Sequence, residues 1–166
     1  MLDFLMIATR SGKRGIIEVY PKFIIKKSND LMIRGGDFYA IWIEERGIWS
    51  TDEQDAVDLI DRELDQYAEE NRKRFDDNIR VLHMWDAETG MIDSWHRYCQ
   101  KQMKDQFHML DEKLVFSNTK VGKRDYASKS LPYPLEPGET PAWDKLISTL
   151  YSPEERHKIE WCIGSI

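Results

Sequence analysis

Hydrophobic and polar positions change their period twice along this chain. Over the first fifty residues, LDFLMIATR, GIIEVYPKFIIKK and DLMIRGGDFYAIWIEERGIWS carry short β-branched and aromatic runs punctuated by Gly12, Gly15, Asn29, Asp30, Gly35 and Gly36, which is strand patterning. The run Tyr39 to Ile43, the turn residues Glu45, Arg46 and Gly47, and then Ile48 and Trp49 predict a hairpin in which Gly47 supplies the positive φ of a tight loop. At Ser50 the spacing switches. Ala56, Val57, Ile60, Leu64 and Tyr67 recur at three- and four-residue steps and predict an amphipathic helix to about Arg74, opened by a capping box of Thr51 with Gln54 or Ser50 with Glu53. A second helical pattern covers Met91 to Met103, with Ile92, Trp95, Cys99 and Met103 along one face. Before it, RVLHMWDAETG reads either as a short strand ending in a turn or as a partner of the preceding helix.

Periodicity then disappears. From Leu114 the chain includes Pro132, Pro134, Pro137 and Pro141, which no regular element accommodates together, so an extended connector is expected. Pro141, Trp143, Leu146, Ile147 and Leu150 predict a compact helix. Ser152, Pro153 and Glu155 then spell the N-cap, first position and capping carboxylate of a terminal helix whose apolar positions are Ile159, Trp161, Cys162 and Ile163. The fold class is therefore α+β: a small antiparallel N-terminal sheet followed by a helical region with a proline-rich connector. Three segments are expected: a strand-rich part with one long helix (1–75), a helical part with a basic stretch (76–130), and the connector with its helices (131–166).

At 166 residues and 41% hydrophobic content, the chain can bury one ordinary core or two small ones without metals or disulfides. Cys99 and Cys162 lie far apart in helical patterns and read as buried thiols. The first residues have too short an apolar run for a signal peptide or a membrane span, so a cytoplasmic setting away from membranes is expected. The net charge of −6 is unevenly spread: residues 1–34 carry +4, residues 51–77 carry −7 and residues 95–130 carry +4. Such segregation can give one fold an acidic and a basic face, so the net value does not exclude a polyanionic partner.

Catalytic signatures are sparse. No GxxxxGK[ST] loop is present, and SGKRG at 11–15 reads as a basic hairpin turn. No two of His83, His96, His108 and His157 fall at the four-residue spacing of a helical zinc pair. Asp86 and Glu88 in WDAETG resemble paired metal carboxylates only loosely, and with no convincing partner position a turn with helix-capping residues is the better reading. No catalytic residue and no metal ligand is assigned. Binding chemistry is better represented. Lys120, Lys123, Arg124 and Lys129 surround Tyr126 and Tyr133, and with Arg97, Lys101 and Lys104 they form a basic stretch interleaved with aromatic rings. That combination can hold phosphates and stack on bases, although a solvated, partly docked connector has the same composition.

The segment RDYASKSLPYPLEPGETPAWDKLISTLYSPEERHKIEWCIGSI resembles the region immediately before the motor domain of phage and plasmid primase-helicases, the poxvirus-type branch of superfamily 3 helicases. Trp143, Tyr151, Glu155, Arg156, Glu160, Trp161 and Gly164 carry the likeness. IWIEERGIWSTDEQDAVDLIDREL is similar, less specifically, to the start of that family's helicase-associated region. The resemblance implies a parent that is an ATP- and Mg²⁺-dependent, hexameric DNA helicase of phage-type replication, acting on single-stranded or forked DNA. It implies that this chain is a non-catalytic collar or DNA-contacting piece needing no cofactor itself, with Ile166 inside a helix entering the ATPase. Left without that neighbour, Ile159, Trp161 and Ile163 are expected to be exposed. Two other classes compete: a metal-dependent primase or nuclease using Asp86 and Glu88, and a module that binds only protein.

Overall fold

The computed structural model describes residues 2–24, 27–34, 38–86, 88–101 and 108–164. Among them the strands and α-helices run β1 Leu5–Ser11, β2 Ile17–Phe23, β3 Leu31–Arg34, β4 Phe38–Ile43, β5 Ile48–Ser50, α1 Glu53–Asn71, β6 Ile79–Val81, α2 Met91–Lys101, α3 Pro141–Leu150 and α4 Pro153–Gly164. The class is α+β, and the strands divide between two three-stranded sheets, β1-β2-β6 and β3-β4-β5. Contacts separate the chain into two units, Met1–Pro134 and Leu135–Ile166. The change of pattern near residue 75 falls within the first unit, because β6 pairs with β2 and α2 packs into the same core.

In the first sheet, SGKRG closes the antiparallel β1–β2 hairpin, with Arg14 at φ 58 and Gly15 at φ 77 making the reversal. β6 then adds to β2 in parallel, and only opposite Ile17 to Val19. Ile17 donates its N–H to Asn78 and the Val19 carbonyl accepts Leu82 N–H, both at 2.8 Å, so odd positions of β2 face β6. Pro21 falls on that same side just beyond the end of β6. Its missing N–H therefore breaks no ladder bond, and β2 from Tyr20 onward is an open edge walled by α2.

The second sheet is buried on both faces. Leu31, Ile33, Ile41 and Ile43 join Phe4, Val19 and the α1 and α2 stripes in the main core. Met32, Ala40, Trp42 and Trp49 form a second cluster, covered by Leu110 and Tyr126. Two-sided burial explains why LMI and FYAIWI read as continuous apolar runs rather than alternating ones. Gly47 turns the β4–β5 hairpin at φ 62.

Helix α1 buries Ala56, Val57, Ile60, Leu64 and Ala68, with Tyr67 half-buried beside them. Its cap differs from the expected Ser50 or Thr51. Asp52 accepts the Gln54 N–H at 2.9 Å, because Ser50 still belongs to β5 and its hydroxyl donates to Asp55 instead. A carboxylate at this position also meets the positive end of the helix dipole. Arg46, from the β4–β5 turn, pairs with Asp55 and holds its carboxyl below the usual range, helped by Ser50 and opposed by burial. A depressed folded pKa stabilises the fold above the unfolded value and loses that contribution as pH falls through the folded one. Asp55→Asn should therefore cost about 1 kcal/mol at neutral pH, a modest figure because Arg46 is half exposed. The gap between mutant and wild type should shrink in urea melts near pH 3; an unchanged gap would show that the Asp55 charge is not the source.

Helix α2 buries Met91, Trp95, Tyr98 and Cys99, with Ile92 half-buried, so its inward stripe lies slightly to one side of the expected one. Met103 lies outside the described residues. The connector forms no strand or α-helix among the described residues, only a 3-10 turn at Lys123–Asp125 and an isolated bridge between Phe116 and Leu131.

In the second unit, α3 and α4 form a helical hairpin fastened by polar side chains. Trp143 Nε1 donates to Glu160 at 3.0 Å, Arg156 donates to Glu160 at 2.8 Å, and Arg156 also pairs with Asp144. Ser152 and Glu155 form the reciprocal capping box. Several residues that carry the family resemblance are thus the fasteners of this hairpin. Cys162, expected to be buried, is exposed. The reason is angular: at about 100° per residue, Ile159 and Trp161 point to opposite sides of the helix and cannot share a stripe. Trp161 is 68% and Ile163 57% exposed, while Ile159 is half-buried.

Candidate functional site

The outer face of the second sheet dictates where the connector docks. Trp49, 2% exposed, donates Nε1 to the Lys123 carbonyl at 2.9 Å, and its backbone N–H donates to Ala127 at 2.8 Å. Ala127 is fully buried, and Tyr126 stacks on Trp49 with centroids 6.2 Å apart. Asp125 closes the preceding turn by accepting the Gly122 N–H at 2.8 Å, and Asp111 accepts the Ser128 N–H at 2.6 Å. These bonds hold Tyr126 at φ 47, a left-handed conformation unusual for an aromatic residue, and the exposed His108 ring stacks on it at 4.1 Å.

The result is a concavity of about 490 Å³ lined by Lys27, Asn29, His108, Lys123, Arg124 and Tyr126, among others. No carboxylate lines it among the described residues. Of the basic residues the sequence singled out, Lys123, Arg124 and Tyr126 meet here, but Lys123 has a structural duty. Its Nζ pairs with Asp30, whose other oxygen accepts the Asp3 N–H at 3.1 Å. Lys123 thus ties the connector to the N-terminal strands. Arg124 and Lys27 have no ion-pair partner among the described residues and present their charge to the concavity.

Arg97 and Lys101 lie elsewhere, with Lys22, in a groove of about 480 Å³ along the open edge of β2. Lys120 and Lys129 are exposed on the connector and line neither hollow, and Lys104 lies outside the described residues. Sequence reading missed Lys27, Asn29 and His108. The only available signal was the basic character of residues 1–34, since nothing local links residue 27 to residue 108.

A third hollow of about 380 Å³ has the opposite sign, with Glu44, Glu45 and Glu63 in its wall and Arg62 paired to Glu45 at 2.6 Å. Asp30 is a fourth carboxylate in that lining, against the cations Arg62 and Lys123, and Lys123 is shared with the Arg124 concavity.

The alternative chemistries find little geometry. Asp86 accepts the Glu88 N–H at 3.0 Å and faces Arg80 at 3.5 Å, so its carboxylate is engaged by its own neighbourhood. Among the described residues, no group of three or more His, Cys, Asp or Glu is gathered as a metal site. Cys99 and His96 share α2, and His96 Nε2 meets Glu53 at 2.6 Å, a nucleophile-and-base pattern in outline. The thiol is inert, however: burial first, and then the Glu53 charge, push it up to about 12. Burial raises the Tyr39 phenol as well. No helix among the described residues is long and apolar enough to cross a membrane. Compared with protein-family models, curated proteins and solved structures, the chain matches none.

Proposed function

We propose that this chain is a non-catalytic, nucleic-acid-contacting accessory piece of a phage-type replicative primase-helicase, with Lys27, Arg124 and the His108–Tyr126 stack holding single-stranded or forked DNA. The observation that carries the reading is the concavity itself: among the described residues, two cations without an ion-pair partner flank the His108–Tyr126 stack, whose His108 ring is exposed, in a hollow that no carboxylate lines. Cations neutralise phosphates, and an exposed ring face accepts a base of any identity. The likeness of residues 124–166 to the segment before the helicase motor supports the same reading. ATP hydrolysis, Mg²⁺ binding and hexamer formation then belong to the parent protein, and the cell compartment is the cytoplasm.

Fluorescence anisotropy with single-stranded and forked DNA across a salt series tests this. Lys123 is the wrong residue to reverse, because its loss unpairs Asp30 and perturbs the fold. The double variant Lys27→Glu, Arg124→Glu should weaken binding at least about tenfold at physiological salt. It should also reduce the slope of log K against log salt by about 1.4, two contacts at roughly 0.7 each. Wild-type protein that shows no salt-dependent binding, or a double variant that binds as wild type does, overturns the reading.

A further inference from the structure

We infer that the groove between β2 and α2 is a second phosphate-contacting subsite, occupied by the same single strand that enters the Arg124 concavity; this rests on the reading above and extends it. The groove is lined by Lys22, Arg97 and Lys101 together with Tyr20, Phe23 and Tyr98, and no carboxylate lines it among the described residues. Three cations with aromatic neighbours reproduce, on a different pair of elements, the composition of the first concavity.

The fold explains why the groove is open. β6 stops opposite Val19, and Pro21 cannot recruit another strand through an N–H it lacks, so the edge of β2 beyond Tyr20 is left to α2 and solvent. α2 supplies the other wall. Arg97 donates its Nε to the Asp93 carbonyl at 3.2 Å, which orients the guanidinium without neutralising it. Chain connectivity joins the two hollows: Phe23 lines the groove and Lys27 lines the concavity. Four residues span at most about 14 Å between their Cα atoms, so both hollows lie within reach of one short strand.

The experiment compares oligothymidylates of about 4 and about 16 nucleotides, lengths that bracket common single-strand site sizes. It uses the full chain and the double variant Arg97→Glu, Lys101→Glu, both positions being exposed. Wild type should bind the longer strand with the steeper salt slope. The variant should lose about tenfold in affinity for the longer strand, with its slope reduced by about 1.4, and bind the shorter strand as wild type does. The Lys27→Glu, Arg124→Glu variant should weaken both lengths. If that variant weakens binding while Arg97→Glu, Lys101→Glu leaves the longer strand unaffected, the second subsite is wrong and the proposed function stands. Absence of wild-type binding at either length overturns both. A polyglutamate peptide that competes as strongly as the longer strand, with the same dependence on Arg97 and Lys101, makes the groove a site for acidic peptides and overturns its assignment to nucleic acid.

Discussion

Replacing Trp95 by alanine should lower the unfolding free energy by about 3–5 kcal/mol, among the largest losses expected from a single substitution in the first unit. Trp95 is fully buried and is the residue on which three separate parts of the fold converge. Its ring lies 5.7 Å from Phe4 and 5.2 Å from Phe23, which belong to the side of the first sheet. It lies 5.5 Å from Tyr39 of β4 and 5.8 Å from Tyr98 of its own helix. Truncation removes the transfer energy of the indole and leaves a hole walled by four rings, each held by a different backbone and unable to collapse inward without moving it. Trp95→Phe retains most of the contacts and should cost about half as much or less. Urea titration checks both. A loss below about 1 kcal/mol for Trp95→Ala would mean that the two sheets and α2 are not joined through this residue.

The same convergence shows what the sequence makes legible and what it hides. Local rules reach far here. The β4–β5 hairpin with its glycine, the stripe of α1, the Ser152–Glu155 capping box and the proline-bounded start of α3 are all written within a few residues of where they act. Reading fails where the decisive partner is distant. β6 is three residues long and finds β2 some sixty positions earlier, in a parallel register that no turn signal announces. Asp52 outcompetes Ser50 and Thr51 as the α1 cap because Ser50 is retained by the sheet and by Asp55, a tertiary fact. The apolar helical pattern places Cys162 in a buried stripe, whereas the angular positions of its neighbours spread apolar residues around α4 and leave it exposed. The candidate site divides in the same way: Arg124 and Tyr126 stand out as a basic and aromatic run, while Lys27 and His108 join them only through folding. Most telling is Lys123, which composition groups with the phosphate contacts. Its pairing with Asp30, 93 positions away, makes it a fastener instead.

Trp49 is where fold and candidate site become one question, and its replacement by alanine should cost about 3–5 kcal/mol and abolish the salt-dependent DNA binding proposed for the Arg124 concavity. The side chain is almost wholly buried, stacks on Tyr126, meets Trp42 edge-on at 5.7 Å and donates to the Lys123 carbonyl. Without it, the second sheet loses the ring that the connector sits on, and Lys123, Arg124 and Tyr126 lose the surface that fixes their turn. Trp49→Phe separates the two contributions. It keeps an aromatic platform for Tyr126 but removes the indole N–H, leaving the Lys123 carbonyl without its donor, at a cost of about 1–2 kcal/mol. DNA affinity should fall in step with stability across the series wild type, Phe, Ala when all are measured under conditions where each is folded. Arg124→Glu should instead weaken binding and leave the urea midpoint within error, because its side chain is exposed and makes no ion pair among the described residues. If Trp49→Phe binds DNA and unfolds as wild type does, the indole bond is not what anchors residues 122–128. The concavity would then be shaped by the Asp111–Ser128 clamp and the Lys123–Asp30 pair, and disrupting either of those would have to produce the coupled loss that Trp49 did not.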